Sequence, residues 1–160
     1  MSDDLQGVLV VALEQAVAAP YCTRLMAESG ARVIKLERPD GDFARAYDGI
    51  LDGDSAYFVW LNSGKESLVV DLANPEDKKL LQSILLKADV FIQNLRPGAA
   101  DKLGFSYEDV KTINPRIIMC SISGYGTEGS YSKMKAYDAL IQAESGLCSV
   151  TGPPGQPSKV

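Results

Sequence analysis

The amino-acid sequence predicts an α/β fold, a mostly parallel β-sheet with helices on both faces. Short apolar runs of strand length alternate along the chain with amphipathic stretches of helical spacing. This alternation is typical of right-handed β-α-β units. The chain of 160 residues is 46% hydrophobic and 23% charged, which is the composition of a folded domain and not of a disordered tail. Its length suits one ordinary domain better than two.

The first half of the chain begins with a strand followed by a well-delimited helix. Pro20 near the first turn and Gly30 at the end predict a helix over residues 18–29. An aromatic-rich stretch at residues 56–61 fits either a strand or a helix. The strands of this half are predicted over residues 8–13, 31–36 and 67–72.

The second half contains two clear helix starts. Asn74 followed by Pro75 supplies a capping side chain and a proline at the first helical position. Ser106 and Asp109 have the spacing of a capping box and predict a short helix that ends near residue 113. The remaining predicted elements are strands over residues 89–93 and 116–122, a helix over residues 136–147 and a Pro/Gly-rich stretch over residues 151–158.

Composition excludes several classes of function. Asp and Glu outnumber Lys and Arg by 21 to 16, so the chain lacks the cationic surface that nucleic acids and anionic membranes require. It contains no histidine, which excludes His-based triads and the H-E-x-x-H zinc motif. The distant Cys22, Cys120 and Cys148 favour reduced core residues over a disulfide or a metal site. An acidic start and the absence of a long apolar run lead us to expect a cytoplasmic protein.

The segment GYGTEG at residues 124–129 matches the G-x-G-x-x-G pattern of dinucleotide-binding sites. That pattern should open a helix directly, yet the next helical periodicity starts near Ala136. We therefore predict a glycine-rich turn here. A P-loop is excluded because G-x-x-x-x-G-K-[ST] does not occur.

Basic residues cluster near the predicted strand ends. Cations at the carboxyl edge of a parallel sheet suit a polyphosphate ligand, since ligands bind at that edge. Isolated surface lysines are the alternative, and the pattern alone leaves both open. The residues concerned are Lys35, Arg38, Lys65, Arg96 and Lys102.

Several short motifs occur together along nearly the whole chain. They are GARVIKLERP at residues 30–39, NSGKESL at 62–68, DVFIQNLRPG at 89–98, KLGF at 102–105, and NPRII at 114–118 leading to SGYG at 123–126. This set resembles the class III coenzyme A transferases, a family that includes formyl-CoA and carnitine CoA-transferases and α-methylacyl-CoA racemases. The resemblance implies a Rossmann-like CoA-binding domain over residues 1–150, then a Pro/Gly-rich linker over residues 151–160 towards a C-terminal part.

The same resemblance implies which residues form the site. By motif position, the CoA-binding residues would be Arg38, Lys65, Asn94 and Lys102, and the acyl pocket would include Gln15 and Tyr137. The alternative for Asn94 is a cap on the turn at Pro97, and the alternative for Lys102 is a solvated helix residue.

The nucleophilic aspartate of the family matches no position in this chain. The resemblance places it just past Val160, after the loop GPPGQP at residues 152–157. We therefore expect no catalytic residue within the chain. Asp138 is expected to lie in the first turn of the last helix, where a carboxylate complements the helix dipole.

The leading interpretation is the N-terminal portion of a CoA-transferase. It would move CoA from an acyl-CoA thioester to a small carboxylic acid through an aspartyl intermediate. CoA is then a substrate, and no prosthetic group or metal is expected. The full-length protein would form an interlocked homodimer, and the fragment alone would be inactive. A racemase or epimerase of the same family is the alternative, although Tyr137, with an ordinary pKa of about 10, stands where that branch has a histidine base. A non-catalytic CoA- or nucleotide-binding fragment is the alternative from another class.

Overall fold

The centre of the molecule is a five-stranded parallel sheet, seen in a computed structural model that describes residues 3–160. The strand order is β3-β2-β1-β4-β5, and every neighbouring pair is parallel. The predicted α/β fold is thus confirmed. The strands are β1 (Leu9–Leu13), β2 (Arg32–Glu37), β3 (Glu66–Val69), β4 (Val90–Gln93) and β5 (Ile118–Ser121).

Helices and a 3₁₀ helix connect these strands. The ambiguous stretch at residues 56–61 is a helix, capped by the Ser55 hydroxyl, which accepts from the Phe58 N–H. The sequence did not predict the 3₁₀ helix or α4, because both are too short to show helical periodicity. The elements are α1 (Ala18–Glu28), the 3₁₀ helix (Phe43–Ala46), α2 (Ala56–Asn62), α3 (Pro75–Leu85), α4 (Ala99–Leu103), α5 (Tyr107–Ile113), α6 (Asp138–Glu144) and α7 (Leu147–Val150).

The continuous helix expected over residues 136–147 was wrong. The helix α6 ends at Glu144, and α7 begins after Gly146. Gly146 has a φ of 81°, a left-handed conformation that glycine adopts without steric cost and that breaks the helical path. Asp138 does lie in the first turn of α6, as expected.

Side chains of the sheet alternate between two apolar clusters, one on each face. Val11 and Phe91 belong to the cluster that packs against α3 and α5. Val10 and Ile92 belong to the other, which packs against α1. Burial on both faces explains the nearly continuous apolar sequence of β1.

The chain divides into two compact units, the described residues up to Ile122 and Ser123–Val160. The first unit holds the sheet and α1 to α5, and the second holds α6 and α7. The segment at residues 124–129 consists of bends and opens no helix, which agrees with the predicted absence of a dinucleotide-binding helix start here. The proposed boundary at residue 150 stays a prediction. Among the described residues, none of the helices has the length and apolar character needed to cross a bilayer.

Candidate functional site

The strand order places a topological switch point between β1 and β4. Chain connections leave β1 towards β2 on one side, whereas β4 and β5 extend the sheet on the other. In open parallel sheets, ligands bind in the crevice that this reversal creates at the carboxyl edge. The loops that bound it here are residues 15–17 after β1 and residues 94–97 after β4.

Two predicted site residues, Gln15 and Asn94, meet directly at this switch point. The Gln15 N–H donates to Asn94 Oδ1 at 2.9 Å, and Asn94 Nδ2 donates to the Gln15 carbonyl at 2.8 Å. The Asn94 side chain therefore continues the β1–β4 hydrogen-bond ladder by one more rung. Both ends of its amide thus bond to the backbone of a residue 79 positions away in sequence.

Residues 15–17 form a strained turn, which we call the Ala16 turn. Ala16 has a φ of 61°, in the left-handed region that costs a residue with a Cβ roughly 1–2 kcal/mol. The Ala16 N–H donates to Asp42 Oδ1 at 3.2 Å. Asn94 on one side and Asp42 on the other thus hold the turn in this conformation.

A buried cluster of four charged side chains lies beneath the turn, on the α1 face of the sheet. Lys35 Nζ donates to Asp42 Oδ2 at 2.9 Å and lies 3.7 Å from Glu14 Oε1. Lys65 Nζ donates to the same Glu14 oxygen at 2.7 Å. With two cations and two carboxylates the cluster is neutral, which a set of charges buried this deeply requires.

Lys65 is the predicted CoA-binding residue that the structure buries most deeply. Its ammonium donates to Glu14 and also to the Pro20 carbonyl at 2.9 Å and Asn62 Oδ1 at 3.1 Å. Burial lowers the pKa of Lys65 to about 8, although the neighbouring Glu14 carboxylate acts in the opposite direction. Lys65 is thus connected to the Ala16 turn through Glu14, and its three donors are already used by the protein.

A third buried carboxylate, Glu37, ends β2 at the same edge. Arg45 donates to both of its oxygens, at 2.9 and 2.8 Å, and the Ser67 hydroxyl donates at 2.7 Å. Burial alone would raise the pKa of Glu37, but these donors outweigh it and the pKa is lowered. The Arg45 guanidinium also lies over the Phe58 ring, 3.9 Å from its centroid.

The other cations near the carboxyl edge are exposed. Arg38 directly follows β2, Arg96 lies in the loop after β4, and Lys102 lies on α4. None of the three has a side-chain hydrogen bond or ion pair within residues 3–160. Of the basic residues that the sequence singled out, only these three have side chains free to bind an anion.

Tyr137 lies in the second unit, at the N-terminus of α6, and its side chain is 65% exposed. Its neighbour Asp138 accepts a hydrogen bond from Gln142 Nε2 at 2.6 Å, one turn along the helix. A local role at the helix start therefore accounts for the Asp138 carboxylate. The predicted role of Tyr137 in an acyl pocket stays a prediction.

Sequence reasoning missed a row of exposed aromatic rings on the first unit. Neighbouring rings lie 5.3 to 6.0 Å apart between centroids, which is the spacing of stabilising aromatic pairs. Only the aromatic content of residues 56–61 hinted at it. The rings, in spatial order, are Phe43, Tyr47, Tyr57, Trp60 and Tyr21.

An all-parallel five-stranded sheet with flanking helices and a switch point between β1 and β4 defines a Rossmann-like domain. The family model for CoA-transferase family III matches residues 5–160, and the chain belongs to that family. The resemblance seen in the sequence is thereby confirmed.

Relatives with known activities support the same assignment. The chain is 42% identical over 156 residues to an acetyl-CoA:oxalate CoA-transferase from Acetobacter aceti, covering 96% of this chain and 40% of the relative. It is 39% identical over 151 residues to the human succinyl-CoA:glutarate CoA-transferase, covering 93% of this chain and 34% of that relative. The chain thus spans well under half the length of these relatives.

Solved structures of longer proteins share the fold. A CAIB/BAIF family protein from Brucella suis superposes with a TM-score of 0.92 at 37% identity, covering 100% of this chain and 44% of that one. The hypothetical protein Rv3272 from Mycobacterium tuberculosis gives a TM-score of 0.84 at 32% identity, covering 98% of this chain and 44% of that protein.

Proposed function

We propose that the chain is the N-terminal, CoA-binding part of an enzyme that transfers CoA from an acyl-CoA thioester to a small carboxylic acid. The observation that carries this proposal is the family match over residues 5–160. The names of similar proteins support the reaction class, since their donors and acceptors are acetyl-, formyl- and succinyl-CoA, oxalate and glutarate.

Within this proposal the exposed cations bind the CoA phosphates. Arg38 and Lys102 have guanidinium and ammonium groups without partners among residues 3–160. Arg38 directly follows β2, and Lys102 lies on α4, the helix that follows the loop after β4. Charge-assisted hydrogen bonds to phosphate are the strong ones, and arginine makes them in pairs. Lys65 and Asn94 belong to the same proposed site through their contacts with Glu14 and Gln15, while Gln15 and Tyr137 serve the acyl end.

The proposed chemistry needs a nucleophile from outside residues 1–160. An aspartate carboxylate attacks the thioester carbonyl, the C–S bond breaks, and the CoA thiolate leaves a mixed anhydride behind. The thiolate then attacks the aspartyl carbonyl and releases the donor acid, giving an aspartyl-CoA thioester. The acceptor carboxylate then attacks the aspartyl carbonyl and expels the CoA thiolate, which leaves a second mixed anhydride. The thiolate finally attacks the acceptor's acyl carbonyl, which forms the product acyl-CoA and frees the aspartate carboxylate. We propose that this takes place in the cytoplasm in an interlocked homodimer.

The first test compares two exposed arginines in the longest polypeptide whose reading frame contains this sequence. We expect Arg38→Ala to weaken CoA binding about ten- to a hundred-fold, because a charge-assisted contact contributes about 1.5–3 kcal/mol. Arg116→Ala is the matched control, since Arg116 is also exposed but precedes β5 at the opposite edge of the sheet. Calorimetry that gives equal affinities for both variants would contradict the phosphate contact.

The second test is activity itself. We expect the 160-residue chain to show no exchange between acyl-CoA donors and carboxylate acceptors by mass spectrometry, because binding groups cannot replace the missing carboxylate. The longer polypeptide should restore exchange. Exchange in the 160-residue chain that disappears with Asp138→Asn would show that the nucleophile had been misplaced.

A further inference from the structure

The Ala16 turn is the one place at the switch point where a residue with a Cβ is held in a left-handed conformation. Such strain persists only where the surroundings over-determine it, and it tends to accumulate at functional sites. Here three hydrogen bonds hold it, a reciprocal pair between Asn94 and Gln15 and one from the Ala16 N–H to Asp42. Both side chains come from loops at the carboxyl edge, after β4 and after β2.

Among the described residues, the Asn94 amide bonds only to the Gln15 backbone, once through each end. Its reciprocal pair of bonds with Gln15 fixes the orientation of the amide, because Oδ1 must face the N–H and Nδ2 must face the carbonyl. Turning the amide towards a ligand would break both bonds to the Gln15 backbone. The geometry therefore favours an action of Asn94 through Gln15.

Asp42 is fixed as firmly as Asn94. Its Oδ1 accepts from the N–H groups of Ala16 and Ala44, and its Oδ2 accepts from the buried Lys35 ammonium. Turning the carboxylate towards a ligand would deprive the buried Lys35 ammonium of its nearest counter-ion, at 2.9 Å. The side chain of Gln15, by contrast, has no hydrogen-bond partner within residues 3–160.

We propose that Asn94 and Asp42 are positioning residues that lock the Ala16 turn so that the Gln15 side chain faces the reacting acyl group. This inference rests on the proposed function and assigns Asn94 a role different from the direct CoA contact that its motif position implied. It predicts that loosening the turn impairs transfer and spares CoA affinity.

The first experiment compares two asparagines in the longer polypeptide. Asn94→Ala should lower kcat at least about tenfold and change the Kd for free CoA less than about twofold. Asn114→Ala is the matched control, because the Asn114 amide also donates to two backbone carbonyls, Leu85 at 3.0 Å and Ala88 at 2.8 Å, at the opposite edge of the sheet. It should lower thermal stability and leave kcat unchanged.

The second experiment tests the strain directly. Glycine adopts the Ala16 conformation without the Cβ penalty, so Ala16→Gly should restore about fivefold of the kcat lost in Asn94→Ala. Hydrogen exchange at the Gln15 and Ala16 amides should be slow in the original protein and faster in Asn94→Ala.

The outcomes separate this inference from the function on which it rests. An original protein that transfers no CoA would overturn the proposed function. An active protein in which Asn94→Ala weakens CoA binding tenfold with kcat intact, or in which Ala16→Gly gives no rescue, would overturn the positioning role alone. Fast exchange at Gln15 and Ala16 in the original protein would also overturn it, since the clamp would then not exist.

Discussion

Replacing Lys35 by methionine perturbs the buried charge cluster without changing its shape. Methionine has a similar unbranched side chain and fits a strand buried on both faces. Lys35 is only 1% exposed, and Asp42 and Glu14 are 5% exposed. The variant leaves two buried carboxylates to share the single ammonium of Lys65, so the cluster changes from neutral to a net charge of minus one.

The expected cost of Lys35→Met is about 3–5 kcal/mol of unfolding free energy, the usual effect of removing one partner from a buried ion pair. Asp42 keeps the two N–H donors of Ala16 and Ala44 but loses its counter-ion at 2.9 Å. Adding Asp42→Asn restores neutrality, because Glu14 and Lys65 still pair at 2.7 Å. We expect the double variant to recover about half of the loss, since the new amide N–H₂ faces an apolar neighbour and stays unpaired.

The measurement is urea unfolding of the 160-residue chain, followed by the fluorescence of its single tryptophan, Trp60, in α2 of the first unit. Lys79→Met is the control, because Lys79 pairs with Glu76 at 2.8 Å on the surface, where such pairs contribute about 0–1 kcal/mol. A loss for Lys35→Met no larger than that of Lys79→Met, with no recovery in the double variant, would refute the reasoning.

Two further predictions concern Glu37 and the second unit. Folding lowers the pKa of Glu37 from its ordinary value of 4.5, so its contribution to stability is present above that pH and is lost as pH falls through the folded-state pKa. Urea unfolding midpoints measured from about pH 6 to about pH 3 should therefore fall, and Arg45→Met should abolish this fall. An unchanged acid profile in Arg45→Met would contradict this. Gly124→Ala should destabilise residues 123–160 by about 1–3 kcal/mol, because the new Cβ would lie 2.8 Å from Ile141 Cδ1. Faster hydrogen exchange of the backbone amides in residues 123–160 would measure this loss. Gly49→Ala, whose Cβ meets open space, is its control, and equal exchange in the two variants would count against the clash.

The sequence predicted those elements of the fold whose signals are local. Asn74 caps α3 by accepting from the Glu76 N–H, and Ser106 and Asp109 form the capping box that their spacing indicated. Elements without local signals were missed or misjudged. The helix α4 has only five residues, and a single glycine, Gly146, interrupts a stretch whose apolar periodicity continues past it.

The site was predictable by residue type but not by pairing. Lys65 and Asn94 were recognised from their motifs, yet their partners lie 51 and 79 positions away, and no pattern in the sequence connects them. Glu14 looks like a loop carboxylate at the end of an apolar run, although it is the centre of the buried cluster. The one available signal was Lys35, a charged residue inside the apolar strand of residues 31–36.

The same cluster bears on how the strands find their alignment during folding. Val33 and Lys35 face α1, whereas Ile34 and Leu36 share the opposite apolar cluster with Leu81. A slip of β2 by one residue against β1 would move the Lys35 ammonium into that apolar cluster, where it would meet no carboxylate. Misaligned pairings of these two strands therefore carry the cost of an isolated buried charge, which an all-apolar strand would not impose.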